Sequence, residues 1–461
     1  MLSKGEKCRG CPAYGDGLGF VPDEVRVNSP VLVMGQMPGK VEEKIGTPFS
    51  GPTGLAMNSR YLPYAGLSRG DVSVGNVLRC RWGHNEDKLP PVSSVVVRQA
   101  IDHCERAYFK MPEGVKLIIT QGDYALLWAT GESSSTNWRG WVLPFKGTAA
   151  SGAKLHLSSI WVPTPQDLPV LATVHLARLY KPKSEWLYLP TAKDWGKAAR
   201  VLQRTWPSSC PPFRSAYRPP WPSIPFAFDT EFYTREDFGP TLIRYSIAWE
   251  SREKGSQICV VEGGAPHYPV PVRGLHVIAQ NWWADLANFE ALTGVNDAYL
   301  HNTLHDLMLA HSVLYSDMPH DLDFLGSIYS SMNRWKHLRE REGAAQLYSA
   351  ADAWGAWECW PSIQAEFEKD PRSREIYSEY VRPMIPVIQK AQAQGRRVWK
   401  PRIIEGVESM QYQREDAQLR AQAAAGWPIN LASPQQVGAQ LYGAEGLPQP
   451  RRGKGHAREE A

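Results

Sequence analysis

Four carboxylates and a tyrosine stand at spacings that can hold divalent metal ions. Asp229-Thr230-Glu231 lies in an apolar run, Phe226–Phe232, that reads as a strand. Residues two apart on a strand share a face, so both carboxylates can meet one ion. Asn302-x-x-x-Asp306 follows a short strand-like run, Ala298–Leu300. Tyr348-x-x-x-Asp352 falls on a helical stretch, where four-residue spacing puts both side chains on one face. Asp229, Glu231, Asp306 and Asp352, from three separated segments, can together hold two Mg2+ or Mn2+ ions. Such a pair clamps the attacking water and the leaving 3′ oxygen of an in-line displacement at phosphorus, and Tyr348 can orient the water. A lone Asp-x-Glu is usually structural; the ordered set carries the reading. A second constellation is made of cysteines: Cys8-x-x-Cys11, Cys80 and Cys104. Four thiolates suit a 4Fe–4S cluster or zinc. The spacing is not that of a two-knuckle zinc ribbon, and by itself it leaves iron–sulfur, zinc and unligated buried cysteines all open.

These residues need a scaffold. Residues 1–204 alternate apolar runs (Val31–Met34, Val72–Val77, Leu117–Thr120, Val170–Val174) with helical patterns such as Val96–Phe109 and Tyr124–Ala129. The alternation predicts a parallel sheet covered by helices. From Pro207 to Pro225 there are seven prolines in 19 residues, which favours extended backbone and marks a linker over 205–225. Beyond it, Phe226–Phe232, Thr241–Trp249 and Gln257–Val261 read as consecutive strands, with helical patterns from about Leu286 onward. The expected organisation is therefore α/β throughout: a first domain over 1–204, a second over 226–372, a helical segment over 373–448 and a basic tail over 449–461 that carries Arg451 and Arg452.

The 461 residues suit about three folding units. Hydrophobic residues at 43% and charged residues at 21% are ordinary for a chain that buries cores. A net charge of +4 is too mild to establish a nucleic-acid partner. No apolar run approaches the length of a membrane span, and Met1–Gly10 lacks the apolar core of a signal peptide. A cytoplasmic protein with no membrane partner is expected. Seven cysteines, an odd number in a long chain, argue against a secreted disulfide framework.

The carboxylate motifs resemble the 3′–5′ proofreading domain of family A DNA polymerases. Phe228-Asp229-Thr230-Glu231-Phe232 matches its first motif, His301-Asn302 through Asp306 its second, and Tyr348-Ser349-Ala350-Ala351-Asp352 its third. One departure is His305, where the family has an aromatic residue. The resemblance covers residues 222–370 and implies a ribonuclease H-like fold and a two-metal exonuclease acting on single-stranded 3′ ends. It continues through Arg382–Val398 and Ile429–Gln436, which look like the start of a polymerase thumb. Palm and fingers are absent, so the chain alone is not expected to polymerise DNA.

The first domain is similar to family 4 uracil-DNA glycosylases. The carriers are Gly35-Gln36-Met37-Pro38-Gly39, Glu42, Gly46-Thr47-Pro48-Phe49, Asn76 through Arg81, and His175 at a strand end, with the four cysteines where that family has them. The resemblance implies that Cys8, Cys11, Cys80 and Cys104 hold a 4Fe–4S cluster. It implies a base pocket of Gln36, Glu42, Phe49, Asn76 and His175, in which Phe49 stacks on a flipped base, Asn76 reads its edge and His175 stabilises charge on the departing base. The family has Glu at the position of Gln36, a related family has Asp at Met37, and His175-Leu176-Ala177 replaces His-Pro-Ser. A neutral pair cannot ionise to position water, so glycosylase activity and a fold kept for DNA or partner binding both stay open.

Together the resemblances point to the front portion of a bacteriophage-type family A polymerase. The expected function is a proofreading or trimming exonuclease with a glycosylase-like DNA-binding domain, partnered by a separate palm-and-fingers chain and placed in the host cytoplasm. The alternatives are a repair glycosylase acting on uracil-containing DNA with an attached nuclease, and a non-enzymatic DNA-binding module.

Overall fold

In the computed structural model, two twisted sheets each carry helices on both faces. The structure describes residues 4–15, 19–82, 90–146, 159–217, 221–235, 239–263, 272–395 and 398–448. The first sheet is built from β1 (Val31–Gly35), β2 (Val72–Asn76), β3 (Leu117–Gln121), β4 (Val142–Pro144) and β5 (Pro169–Thr173), in the order β2-β1-β3-β5-β4. All pairs are parallel except the β4 edge. The four long strands are buried along their whole length, which is why they read as unbroken apolar runs rather than alternating ones. One face packs under α1 (Val95–Tyr108) and α2 (Asp123–Thr130) through Leu32, Met34 and Ile118. The other packs Val31, Val33 and Ile119 against Trp195 and Ala198 of α3 (Tyr188–Leu202).

The second sheet comprises β6 (Arg214–Ala216), β7 (Phe226–Arg235), β8 (Gly239–Ser251), β9 (Gly255–Glu262), β10 (His276–Ala279) and β11 (Thr303–Asp306), in the order β11-β10-β7-β8-β9-β6. β7, β8 and β9 form an antiparallel meander, and β10 and β11 add in parallel on the other side of β7. Ala227 and Ala248 face α6 (Ala345–Lys369), whereas Phe226 and Phe228 face α4 (Trp282–Thr293). Two further helices, α5 (Leu307–Leu314) and a second, Leu322–Tyr329, complete the α6 side. The expected strand-like run Ala298–Leu300 is a one-turn helix, Ala298–His301, and the strand comes two residues later as β11. A four-residue apolar stretch carries no period that separates the two states, and here Asn302 closes the turn by donating to Ala298 O.

The proline-rich stretch is packed. Trp206 is wholly buried in the first domain's core, Arg214–Ala216 pairs as a sheet edge, and Trp221 lies against Phe226, Phe228 and Phe289. Met1–Pro386 forms one compact unit and Val387–Ala461 another. Within the second unit, Lys400–Ala425 is one long helix with no buried residue, ended by Gly426 in the left-handed conformation. No helix among the described residues is long and apolar enough to cross a membrane. The expected basic tail, 449–461, lies outside the described residues.

Candidate functional site

β7 places Asp229 and Glu231 on the face covered by α6, and α6 returns Tyr348 and Asp352 to the same place. Ligand oxygens of Asp229, Glu231 and Asp352 lie within 4.8 Å of one another. Burial, then Asp352, Asp285 and Glu231, push the Asp229 carboxyl well above the usual range. Burial and Asp352 raise Glu231 likewise. Asp229 Oδ2 is buried with no hydrogen-bond partner. Converging carboxylates, Asp352 buried and Asp229 and Glu231 half-buried, with an orphaned oxygen form a donor set of the type hard divalent cations take, so the residues present fit such an ion.

Asp306 stands apart from this trio. Its Oδ1 accepts from Met308 N–H (2.9 Å), Leu309 N–H (3.2 Å) and Asn281 N–H (3.2 Å), and its Oδ2 from Trp282 N–H (2.9 Å). The carboxylate thus caps the first turns of α4 and α5, where N–H groups lack intrahelical partners. Strand parity explains the placement: Leu304, two residues before Asp306, packs with Phe226 and Phe228 in the α4 layer.

Three residues at the site carry no sequence signal. Trp335 Nε1–H and Lys336 Nζ both donate to Asp352 Oδ1, each at 2.5 Å, and Lys336 also reaches the Tyr348 hydroxyl at 3.3 Å. Burial pulls the Lys336 ammonium down, but Asp352, Tyr348 and Asp229 outweigh it and hold it above its ordinary value. Behind the strand, Thr230 donates to buried Asp285, whose carboxyl is pushed up to about 7 by burial. Only tertiary packing brings these groups to the motifs.

The first domain holds a cavity of about 980 Å3 where β1, β2 and β5 end. All five expected pocket residues, Gln36, Glu42, Phe49, Asn76 and His175, line it. Gly35 lets two of them meet: a Cβ there would sit 2.5 Å from Asn76 Oδ1 and 2.8 Å from the Phe49 ring. Phe49 adopts φ 55°, a left-handed conformation that side chains avoid and that recurs at functional sites. Glu42 accepts from Gly51 N–H (3.1 Å), so its carboxylate clamps the loop behind the pocket. His175 Nδ1 accepts from Ala177 N–H (3.1 Å), which leaves the proton on Nε2, and burial lowers its pKa to about 4. The pocket therefore offers a neutral N–H donor. Arg178, Lys181 and Lys183 form a basic rim that sequence reading passed over.

Cys8, Cys11, Cys80 and Cys104 line one small apolar cavity with Arg79 and Tyr108. Burial raises Cys11 and pushes Cys80 up to about 12, while Cys104 accepts from Arg79 Nη1 at 3.6 Å. Four thiols around one apolar cavity form a donor set that fits a thiolate-held metal group.

Residues 22–199 match the family model of the uracil DNA glycosylase superfamily, so the chain carries an N-terminal domain of that superfamily. The type-4 uracil-DNA glycosylase of Sulfurisphaera tokodaii is 29% identical over 185 residues, 38% of this chain and 72% of that protein. Those of Thermotoga maritima and Archaeoglobus fulgidus are 32% and 34% identical over 85 and 83 residues, each 18% of this chain. The chain spans 44% and 41% of their lengths. Among solved structures, Brucella melitensis NrnC with bound Mg2+ aligns with TM-score 0.32 and 17% identity over 39% of this chain and 92% of that one. The catalytic core of RRP6 from Trypanosoma brucei aligns with TM-score 0.24 and 13% identity over 34% of this chain and 44% of that one.

Proposed function

We propose that this chain processes DNA through a metal-dependent 3′–5′ exonuclease centre joined to a glycosylase-like domain that receives a flipped base. The observation that carries the reading is the convergence of Asp229, Glu231 and Asp352 with Tyr348 one helical turn from Asp352. These three carboxylates would hold Mg2+ or Mn2+; Asp306, whose oxygens cap α4 and α5, is left out of that set. When bound, the ions supply charge stabilisation to an in-line displacement at phosphorus. The chain's own groups orient the reactants. The Tyr348 hydroxyl hydrogen-bonds the attacking water, Lys336 holds that hydroxyl, and Trp335 fixes Asp352. Water oxygen bonds to phosphorus, the P–O3′ bond breaks, and the water's proton goes to solvent as the 3′ oxygen is protonated. Asp229→Ala or Asp352→Ala is expected to abolish Mg2+-dependent degradation of labelled single-stranded 3′ ends while DNA binding persists. A wild-type chain that leaves such ends intact with Mg2+ or Mn2+ would falsify the reading.

A second activity is favoured by the assembled pocket. Phe49 stacks on an extruded base, Asn76 pairs its edge and His175 donates through Nε2–H to a base oxygen. Gln36 supplies no carboxylate, so the reading is capture of a flipped uracil with slow or absent cleavage. A uracil-containing oligonucleotide assayed without divalent metal tests this; abasic product at the rate of an efficient glycosylase would overturn it. The four cysteines would hold a 4Fe–4S cluster, expected as a broad visible absorption lost in Cys80→Ala. The motif order supports a role in replication, as the front of a phage-type family A polymerase or its proofreading subunit. Failure to co-purify with, or continue into, a palm-and-fingers module would count against that setting.

A further inference from the structure

Residues 333–337 form a strap between the two domains. Asn333 is bonded to the first domain like an added strand residue: its Oδ1 accepts from Val142 N–H (3.3 Å), and its Nδ2 donates to Val142 O (2.9 Å) and Trp161 O (2.7 Å). Arg334 lies over the Trp138 ring at 4.3 Å, and His337 Nε2 is 3.2 Å from Ser159 O. Trp335, wholly buried, meets Trp141 edge-on at 6.0 Å. On its other sides it leaves no room for a side chain: a Cβ on Gly326 or Gly355 would come within 2.7 or 2.6 Å of its ring. This wedged ring is the one whose Nε1–H grips Asp352, and the next residue, Lys336, grips the same oxygen.

We infer that Trp335 is a positioning residue for the carboxylate centre and that the glycosylase-like domain, through Trp141 and Asn333, is part of that centre's framework. The inference rests on the nuclease reading above and goes beyond it, because it makes one domain's packing a determinant of the other domain's metal affinity. Both bonds fall on Asp352 Oδ1, so Oδ2 is kept for the ion, and the carboxylate's rotation is set by a ring that the first domain holds still. Groups that orient a ligand from behind typically change metal affinity by about 10–100-fold when removed.

The test is Mn2+ binding to the full-length protein, followed by electron paramagnetic resonance, with thermal melting in parallel. Trp335→Phe keeps the ring and deletes the donor; it is expected to weaken Mn2+ binding on the order of tenfold. Trp141→Leu, in the other domain, is expected to weaken it in the same direction. The double variant is expected to bind no more weakly than Trp335→Phe alone, because Trp141 acts through Trp335. Trp195→Leu, a comparable truncation in the first domain's core away from the strap, is expected to lower the melting temperature and leave Mn2+ affinity unchanged. Wild-type affinity in Trp335→Phe, or an equal loss in Trp195→Leu, overturns the positioning role and leaves the nuclease reading standing. A wild-type chain that takes up no Mn2+ overturns both.

Discussion

Two side chains carry charge states that their surroundings dictate. His175 is held neutral, with its folded pKa near 4 against 6.5 for a free imidazole, because burial disfavours the cation. The unfolded chain therefore binds more protons between those values. His175's contribution to stability is complete above pH 6.5 and is lost as pH falls through 6.5 toward 4. In ring NMR the His175 titration midpoint is expected below about pH 5; a midpoint near 6.5 would show a solvated, chargeable ring. Lys336 is the opposite case, a half-buried ammonium kept charged by Asp352, Tyr348 and Asp229. It neutralises part of the carboxylate trio from inside the protein. Lys336→Met removes that balance, so the metal-free variant is expected to melt lower than wild type at about pH 8. The melting shift on adding Mg2+ is expected to be larger in the variant. Equal shifts would mean that Lys336 does not share the site's charge.

Strand ends do most of the positioning. β1 and β2 run parallel in register, Gly35 opposite Asn76, so the residues just past them open into the same cavity. Ligand sites in parallel α/β sheets form beyond the carboxyl ends of the strands for this reason. Gly35 is the tight point of that arrangement. Gly35→Ala is expected to cost about 1–3 kcal/mol in chemical denaturation, as overpacking does. It is also expected to abolish binding of uracil-containing oligonucleotides while Mn2+ uptake at the carboxylates persists. In the second sheet, β7 and α6 meet face to face. The two-residue period of the strand and the four-residue period of the helix deliver Asp229, Glu231, Tyr348 and Asp352 to one place.

The two sheets share a core. One hydrophobic cluster runs from Leu126, Trp141 and Ala172 of the first domain to Ala227, Ile258 and Trp354 of the second. At its edge lies a buried ion pair, Arg139 with Asp194, and Arg139 Nη1 also donates to Ser327 Oγ across the interface at 2.9 Å. Leaving one partner of such a pair buried and alone costs about 3–5 kcal/mol. Asp194→Ala is expected to lose that much in guanidinium unfolding. Loss of uracil-DNA binding and loss of Mn2+ binding are expected to follow one coincident transition in both proteins. Two separated transitions in the wild type would show that the shared cluster does not couple the domains.

Much of this was legible in the chain. Strands with buried centres announce themselves as short apolar runs, and β1, β2, β3, β5, β7, β8 and β9 lie where those runs stand. The carboxylate trio was readable because its motifs match a strand or helix period, whereas the pocket residues were legible only through the resemblance to a known family. β10 and β11 were not legible, being four residues each and paired only through their neighbours. The turning of Asp306 onto two helix N-termini was also hidden, because it depends on Asn281 and Trp282 arriving from α4. So was the strap: Asn333, Trp335 and Lys336 follow no period, and their partners lie up to 191 residues away. Local chemistry is written in spacing, which backbone geometry converts directly into a shared face. Contacts between separate elements depend on how whole surfaces pack, and no local pattern encodes that.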